Sequence, residues 1–503
     1  MREENLDLTC FAIKDEWADR RIKENEGKYR SKFLRDRDRI LYSKEFRRLS
    51  GKTQVFVVGF DDHFRTRLTH TLEVEQIATT ISRGLGLNTD LTQAIALGHD
   101  VGHTPFGHVG ERFLSLLMNG CYNNDIRVFN KDIPDKERGF KHNWQSLRVV
   151  SSLEKHRRDY AKDGLNLTNF TLWGILNHTG KEHKRCCYEN IGIEDIEASS
   201  KCGYLKKNNA CKFNGIHSLG FYEQYKSNLN ISDCWSFEAL VVEIADEIAQ
   251  RHHDLEDGIE ANIIEKNQII ERIEEWFIDF LDNDRSLIQN IKDEKDKSFY
   301  MPLINHLLVN LLVRQIIRNS RENLRKIMVK ENIKTSEDFC EYRKGLSAES
   351  YTNVINYNEE FQKREEGLKE YLYGIIINSS LAQKMDGKSN FLLSKLAKAY
   401  ITNPQQLPDS TIHTLFKNII ERFDDKTYKN DTEKMEELHK IEKYEFEEKE
   451  TGLLRITLNK LHKSNLSIYE CALLRTICDY IAGMTDQFAT EQYEMLYGSK
   501  IKR

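Results

Sequence analysis

Proline is scarce in this chain. Only Pro105, Pro134, Pro302, Pro404 and Pro408 occur in 503 residues. Proline breaks helix interiors, so the long proline-free spans leave room for long helices. Unbroken apolar runs are missing too: none approaches the ~18 residues a bilayer-crossing helix needs, so no membrane span is expected. The opening residues, Met1-Arg2-Glu3-Glu4-Asn5, carry acid where a secretory leader wants base followed by an apolar stretch. The ten scattered cysteines then read as free thiols in a reducing compartment, and a cytoplasmic location is expected. A surplus of positive charge is also absent. Lys plus Arg number 75 against 80 for Asp plus Glu, a formal net charge of −5. That excludes a generally basic nucleic-acid coat while leaving room for a local basic patch.

What is present is helical periodicity. In Ser236–Asp257 the residues Phe237, Leu240, Val241, Ile244, Ala245 and Ile248 recur at helical spacing. The segments 263–280 and 303–329 behave alike. Residues 432–450 are charged almost throughout and predict a solvated helix or arm, and 282–297 a charged connector. Strand signals are few, the best being Thr53–Gly59. The fold is therefore expected to be mostly α. No fixed-period repeat and no Pro/Gly/Ser-rich linker divides it. We expect an N-terminal segment at 1–30, a catalytic helical core at 31–260 with an irregular insertion near 181–230, and a helical region at 261–503.

The histidines carry the chemistry. Five of sixteen lie between residues 63 and 108, and the stretch His99-Asp-Val-Gly-His-Thr-Pro-Phe-Gly-His-Val-Gly-Glu111 is the richest. Adjacent His99 and Asp100 at a helix end can both reach one ion, and imidazole with carboxylate suits Mn, Fe, Co or Zn. Two ligands do not hold a catalytic metal. His70, on a helix 68–85 expected to turn Leu72, Ile77, Ile81 and Leu85 inward, is a third candidate. Asp246, beside the apolar stripe where an unpaired carboxylate is costly, is a fourth. Such a set leaves coordination positions for water and substrate. Arg47, Arg48, Lys52, Arg65 and Arg67 precede His70 and offer charge for phosphate, Arg67 being placed best. No GxxxxGK[ST] loop occurs, so a Walker ATPase is not supported. His183, Cys186, Cys187, Cys202, Cys211 and His217 lack CxxC spacing, which favours free thiols over zinc.

The chain resembles the deoxyguanosine triphosphate triphosphohydrolases of the HD-domain superfamily. The resemblance rests on Arg65-Thr-Arg-Leu-Thr-His70, the 99–111 stretch, Ala245-Asp-Glu-Ile-Ala249 with His253-Asp-Leu-Glu-Asp257, Asp479-Tyr-Ile-Ala-Gly-Met-Thr-Asp486, and Arg47-Arg-Leu-Ser-Gly-Lys-Thr-Gln-Val-Phe56. It implies a helical HD core with a further helical C-terminal region. It puts His70, His99, Asp100 and Asp246 at metal-ligand positions, and His108 and Glu111 at a catalytic His–carboxylate pair. It gives substrate-side places to Arg67, His103, His142 and Asp254, with Arg48 a further basic candidate. Gln250 stands where some bacterial members carry a tyrosine near the sugar.

The activity implied is metal-dependent cleavage of a deoxynucleoside triphosphate, dGTP foremost, to deoxynucleoside and triphosphate, with Mn, Mg, Fe or Co as cofactor. Attack at an α-phosphorus needs charge neutralisation, an oriented water and a protonated leaving group. His108, with an ordinary pKa near neutrality, can move that proton, and Glu111 one turn on is expected to orient it. A homo-oligomer, hexameric in relatives, and a nucleotide or single-stranded-DNA effector are expected by likeness only. The competing readings are an HD phosphohydrolase of monophosphates or signalling nucleotides, and a nucleotide- or DNA-binding module of low turnover.

Overall fold

The computed structural model describes residues 7–25, 27–54, 65–121, 133–154, 164–178, 218–281, 284–346, 351–439, 451–464 and 466–498. Helices dominate, as the periodicity predicts. Strand pairing among the described residues is limited to two isolated antiparallel bridges, Arg20 with Thr168 and Thr53 with Thr66. Most of the strand expected at Thr53–Gly59 lies outside the described residues, as do all six members of the Cys/His group at 183–217.

The chain forms two compact units from interleaved segments. The first takes residues 1–102, 145–181 and 229–385; the second takes 103–144, 182–228 and 386–503. The boundary expected at 260 coincides with the end of the helix Phe237–Glu260, yet the first unit continues past it.

In the first unit, Phe237–Glu260 packs along Arg67–Leu85 and Thr89–Gly98, and Lys32–Leu41 packs on Thr89–Gly98. The starts are set locally. Ser31, Thr66, Asn88 and Ser236 each accept a hydrogen bond from the backbone N–H three residues on, satisfying amides that a helix leaves unpaired. Gly86, at φ 74°, ends Arg67–Leu85 in the left-handed conformation glycine adopts at little cost. The buried stripe of that helix is Val74, Ile77, Ala78, Ile81 and Leu85. Leu72, expected inward, is 46% exposed. It lies roughly 200° around the helix from Val74, on the opposite face.

Close packing holds the His99 segment. A Cβ at Gly98 would lie 2.5 Å from Ile175 Cδ1, and one at Gly174 would lie 2.4 Å from Ile95 Cδ1. Glycine at both positions lets Thr89–Gly98 and Asn169–Asn177 approach closely. Buried Glu238 fixes the other end: its Oε1 accepts from the amides of Ile13 and Asn88, 3.0 Å each. Burial pushes its carboxyl up and these amides pull it back. The N-terminal segment is thereby part of the unit, with Phe11 fully buried and edge-on to Phe237 and Phe339. Burying such a ring is worth roughly 2–3 kcal/mol.

Two further segments differ from expectation. The charged stretch 282–297 contains a helix, Arg285–Asp293, that buries Ile288 and Ile291; its abundant charge hides two apolar anchors one turn apart. The longest helix, Lys297–Lys330, has 34 residues and an 18-residue window of mean hydropathy 1.2, enough by length and composition to cross a membrane. Asn305, His306, Asn310 and Arg314 interrupt it, so no unbroken run is visible in the sequence. Its buried Leu307, Leu308, Leu311 and Ile316 fit a core helix packed on Phe237–Glu260 and Arg67–Leu85.

In the second unit, Ser467–Ala482 packs on Asp409–Ile420 and Gly107–Met118. Arg475 is wholly buried; its Nη2 donates to the carbonyls of Glu137 and Gly139 at 3.1 Å, and its guanidinium lies 3.7 Å from the Phe221 ring centre. The described part of the insertion includes the helix Gly220–Ser227, which buries Tyr222. Of the charged stretch 432–450, residues up to 439 continue the helix Lys429–His439 and the rest lie outside the described residues.

Candidate metal centre and a second histidine cluster

Three helices of the first unit bring His70, His99 and Asp246 together. One donor atom from each lies within 4.8 Å of the others. Asp246 Oδ1 is 2.9 Å from His70 Nε2 and 3.8 Å from His99 Nε2. Asp100 adjoins them, with Oδ1 3.5 Å from His99 Nε2 and Oδ2 4.0 Å from His70 Nε2.

The ring tautomers decide whether this set fits a cation. His99 Nδ1 lies 2.6 Å from the Ala96 carbonyl, which only accepts, so the proton sits on Nδ1. In the neutral ring Nε2 then bears a lone pair. That atom is buried and has no hydrogen-bond partner among the described residues. A buried unpaired acceptor costs ~1–3 kcal/mol unless something electropositive meets it. Imidazole nitrogens and carboxylate oxygens around it suit a borderline divalent ion, so the residues fit a metal.

A hydrogen-bonded chain lies behind His70. His70 Nδ1 is 3.2 Å from His253 Nδ1, and His253 Nε2 meets Glu73 Oε2. His252 Nε2 reaches the same oxygen at 3.0 Å, and Arg65 Nε lies 3.5 Å from Glu73 Oε1. Burial opposes the Glu73 charge, but hydrogen bonds from His252 and His253 and the charge of Arg65 hold its carboxyl far below the usual range. Burial lowers His253 well below the ordinary imidazole value. Sequence reasoning missed Glu73, His252 and His253, and also His178, whose ring is edge-on to His99 at 5.0 Å. A signal existed for Glu73, one helical turn after His70.

Arg67 is buried and its Nη1 donates to Asp100 Oδ2 at 2.6 Å, while its Nε has no partner among the described residues. The expected phosphate-side arginine thus also steadies a candidate ligand. Arg48 is exposed and ion-paired with Glu45. Asp254 is buried on Phe237–Glu260, and burial raises it to about 7, partly offset by Arg251.

Asp257, one turn further on, is likewise raised by burial from 3.8 to about 7, partly offset by Arg65. A raised carboxyl stabilises the fold below its unfolded pKa, and that stability is lost as pH rises towards 7. Asp257→Asn is therefore expected to raise Tm more at pH 8 than at pH 5, by ~2–6 °C. Equal shifts at the two pH values would show that Asp257 does not titrate between them.

The second unit holds the other histidines. His103 and His142 stack, with ring centres 3.9 Å apart and planes at 13°. Glu111 Oε2 accepts from His142 Nδ1 at 2.5 Å. Burial opposes the Glu111 charge, yet His142 above all holds it well below the usual range. The carboxylate expected to orient His108 is thus hydrogen-bonded to His142. Spacing alone favoured His108, because positions 108 and 111 share one helical face, whereas His142 arrives from a distant segment. His108 is exposed near the start of Gly107–Met118, with its ring centre 6.2 Å from that of His103.

The loop before this helix is tightly specified. Phe106, at φ 59°, and Gly107, at φ 57°, are both left-handed. Such a conformation is unusual for phenylalanine and persists only when its surroundings impose it. The Phe106 amide donates to Asp486 Oδ1 at 2.8 Å, which gives the Asp479–Asp486 motif a structural role. A Cβ at Gly110 would fall 2.2 Å from the Pro105 carbonyl oxygen.

Comparison with known proteins agrees with these features. The HD domain matches residues 67–199, and the phosphohydrolase-associated domain matches 413–495. A deoxyguanosinetriphosphate triphosphohydrolase-like protein of Leptospira interrogans is 29% identical over 500 residues, covering 99% of this chain and 98% of its own. A protein of the same description from Pelagibacter ubique is 34% identical over 380 residues, covering 75% of this chain and 84% of its own. Another, from a Jannaschia species, is 42% identical over 250 residues, about half of each chain. With the helices carrying His70, His99 and Asp246 and the C-terminal motif in place, the chain belongs to the deoxyguanosinetriphosphate triphosphohydrolase-like family of HD-domain phosphohydrolases.

Proposed function

We propose that the protein hydrolyses a deoxynucleoside triphosphate, dGTP most readily, to deoxynucleoside and inorganic triphosphate. His70, His99, Asp100 and Asp246 would hold a divalent metal, drawn from Mn, Mg, Fe and Co. The observation that carries this reading is the buried His99 Nε2, without a hydrogen-bond partner among the described residues, beside Asp246 and His70. The names of the relatives support the substrate class. A divalent ion bound there would neutralise phosphate charge and lower the pKa of a coordinated water.

The chain's own residues have separate tasks. Arg67 steadies Asp100 and offers its guanidinium to a phosphate oxygen. Water attack forms a new P–O bond at the α-phosphorus and breaks P–O5′; His108 gives O5′ its proton, and the proton the water sheds restores the imidazole. Glu111 holds His142 through its hydrogen bond, and His103 stacks on that ring; both histidines contact the substrate. Asp254, largely protonated below pH 7, serves as a hydrogen-bond donor in the pocket.

Each dNTP and NTP assayed separately with Mn(II), with products resolved by ion chromatography, tests the proposal. Triphosphate and deoxyguanosine are expected from dGTP. GTP should turn over far more slowly: the relatives' names specify a deoxynucleotide, and a site shaped for one would leave an added hydroxyl buried and unpaired. Orthophosphate or pyrophosphate as the product would assign a different HD phosphohydrolase reaction, and equal GTP turnover would remove the deoxy preference.

A further inference from the structure

We propose that Glu73 and His253 are positioning residues that fix the tautomer of His70, so that its Nε2 always offers a lone pair to the metal. The inference rests on the metal reading above and adds two residues to it.

Glu73 can only accept. Its Oε2 faces His253 Nε2 and His252 Nε2, and its Oε1 faces Arg65. Three donors converging on one carboxylate keep it ionised and fix the direction of the chain. His253 therefore carries its proton on Nε2. As a neutral ring it has a lone pair on Nδ1. The atom facing that lone pair, at 3.2 Å, is His70 Nδ1, which must then be the donor. With its proton on Nδ1, neutral His70 presents a bare Nε2 to Asp246 Oδ1, 2.9 Å away. Two acceptors at that distance repel unless a proton or a metal ion lies between them. The relay thus prepares His70 as His99 is prepared by the Ala96 carbonyl. Partners behind a ligating histidine orient the ring and raise its basicity.

The packing that builds the relay is that of the two longest partners in the centre. Glu73 follows His70 by three residues on Arg67–Leu85, and His253 follows Asp246 by seven on Phe237–Glu260. Each helix supplies one ligand and one supporting residue.

The test is Mn(II) binding, measured calorimetrically on the full chain alongside the Tm of the metal-free protein. Wild type is expected to bind one Mn(II) per chain at this centre. Glu73→Gln can turn its amide N–H2 towards His253 and reverse the chain, and His253→Leu removes the acceptor. Both are expected to weaken Mn(II) binding by ~10–100-fold. His253→Asn restores an acceptor near Nδ1 and should recover most of the affinity, with no matching recovery required in Tm. Unchanged affinity in Glu73→Gln and His253→Leu would overturn the relay while leaving the metal reading intact. His253→Asn binding as weakly as His253→Leu would also overturn it. Two Mn(II) per wild-type chain, one of them lost in Glu73→Gln, would make Glu73, His252 and His253 a metal site and not a relay. No binding by wild type would defeat both readings.

Discussion

Asp246→Ala is expected to lose its metal and its turnover together while the helix survives. The carboxylate contributes the one negative charge that lies within hydrogen-bond distance of His70 Nε2 and also near His99 Nε2. Its side chain is 26% exposed, so truncation opens no sealed cavity in the core. The neighbouring stripe of Leu240, Val241, Ala245 and Ile248 remains buried and continues to hold Phe237–Glu260 in place. Losing a partner behind a ligand typically costs 10–100-fold in metal affinity, so losing a ligand should cost more than ~100-fold. Elemental analysis after dialysis, with far-ultraviolet circular dichroism on the same sample, measures both halves of the expectation. Asp246→Asn preserves volume and removes charge, and should resemble Asp246→Ala. A variant that dialyses with a full metal complement would take Asp246 out of the ligand set.

His108→Ala is expected to keep metal and nucleotide and to lose rate, by ~10²–10⁴-fold in kcat, the usual contribution of a general acid or base. Its exposure near the helix start leaves the imidazole accessible, and a fifth protein ligand would occupy a position needed by water or substrate. The structure changes which partner should couple to which. Because Glu111 is hydrogen-bonded to His142, Glu111→Ala and His142→Ala should be strongly non-additive, whereas spacing alone would place that coupling between Glu111 and His108. Measuring kcat, metal content and dGTP affinity on one preparation separates the possibilities. Loss of metal would move His108 into the ligand shell, and near-normal kcat would remove it from the chemistry.

Much of this was legible because it is written locally. Caps at Thr66, Asn88 and Ser236 and the apolar stripes after them mark the three helices that carry His70, His99 and Asp246. The density of glycine and histidine between 98 and 111 marks the loop. What stayed hidden depends on pairs far apart in the chain. His253 meets His70 across 183 residues, and no periodicity encodes which nitrogen faces which. Leu72 faces outward because Val74, Ile77, Ala78 and Ile81 define the buried stripe, and a lone leucine does not reveal its side of the helix. The interleaving of the two units escaped because its joins carry no change of composition. Arg285–Asp293 escaped because two isoleucines are a weak signal among charges.

The Asp486 carboxylate that holds the Phe106 amide is 380 residues downstream of it. During synthesis, every histidine and acid assigned a role here has left the ribosome long before that acceptor is made. A nascent chain can therefore possess the whole inventory of reactive side chains while the turn presenting His103 and His108 still lacks its anchor. Loop-closure entropy grows with the logarithm of length, about 0.6 kcal/mol per doubling, but closure cannot begin until Asp486 has been made. The turn before Gly107–Met118 thus waits for Asp486 to be made.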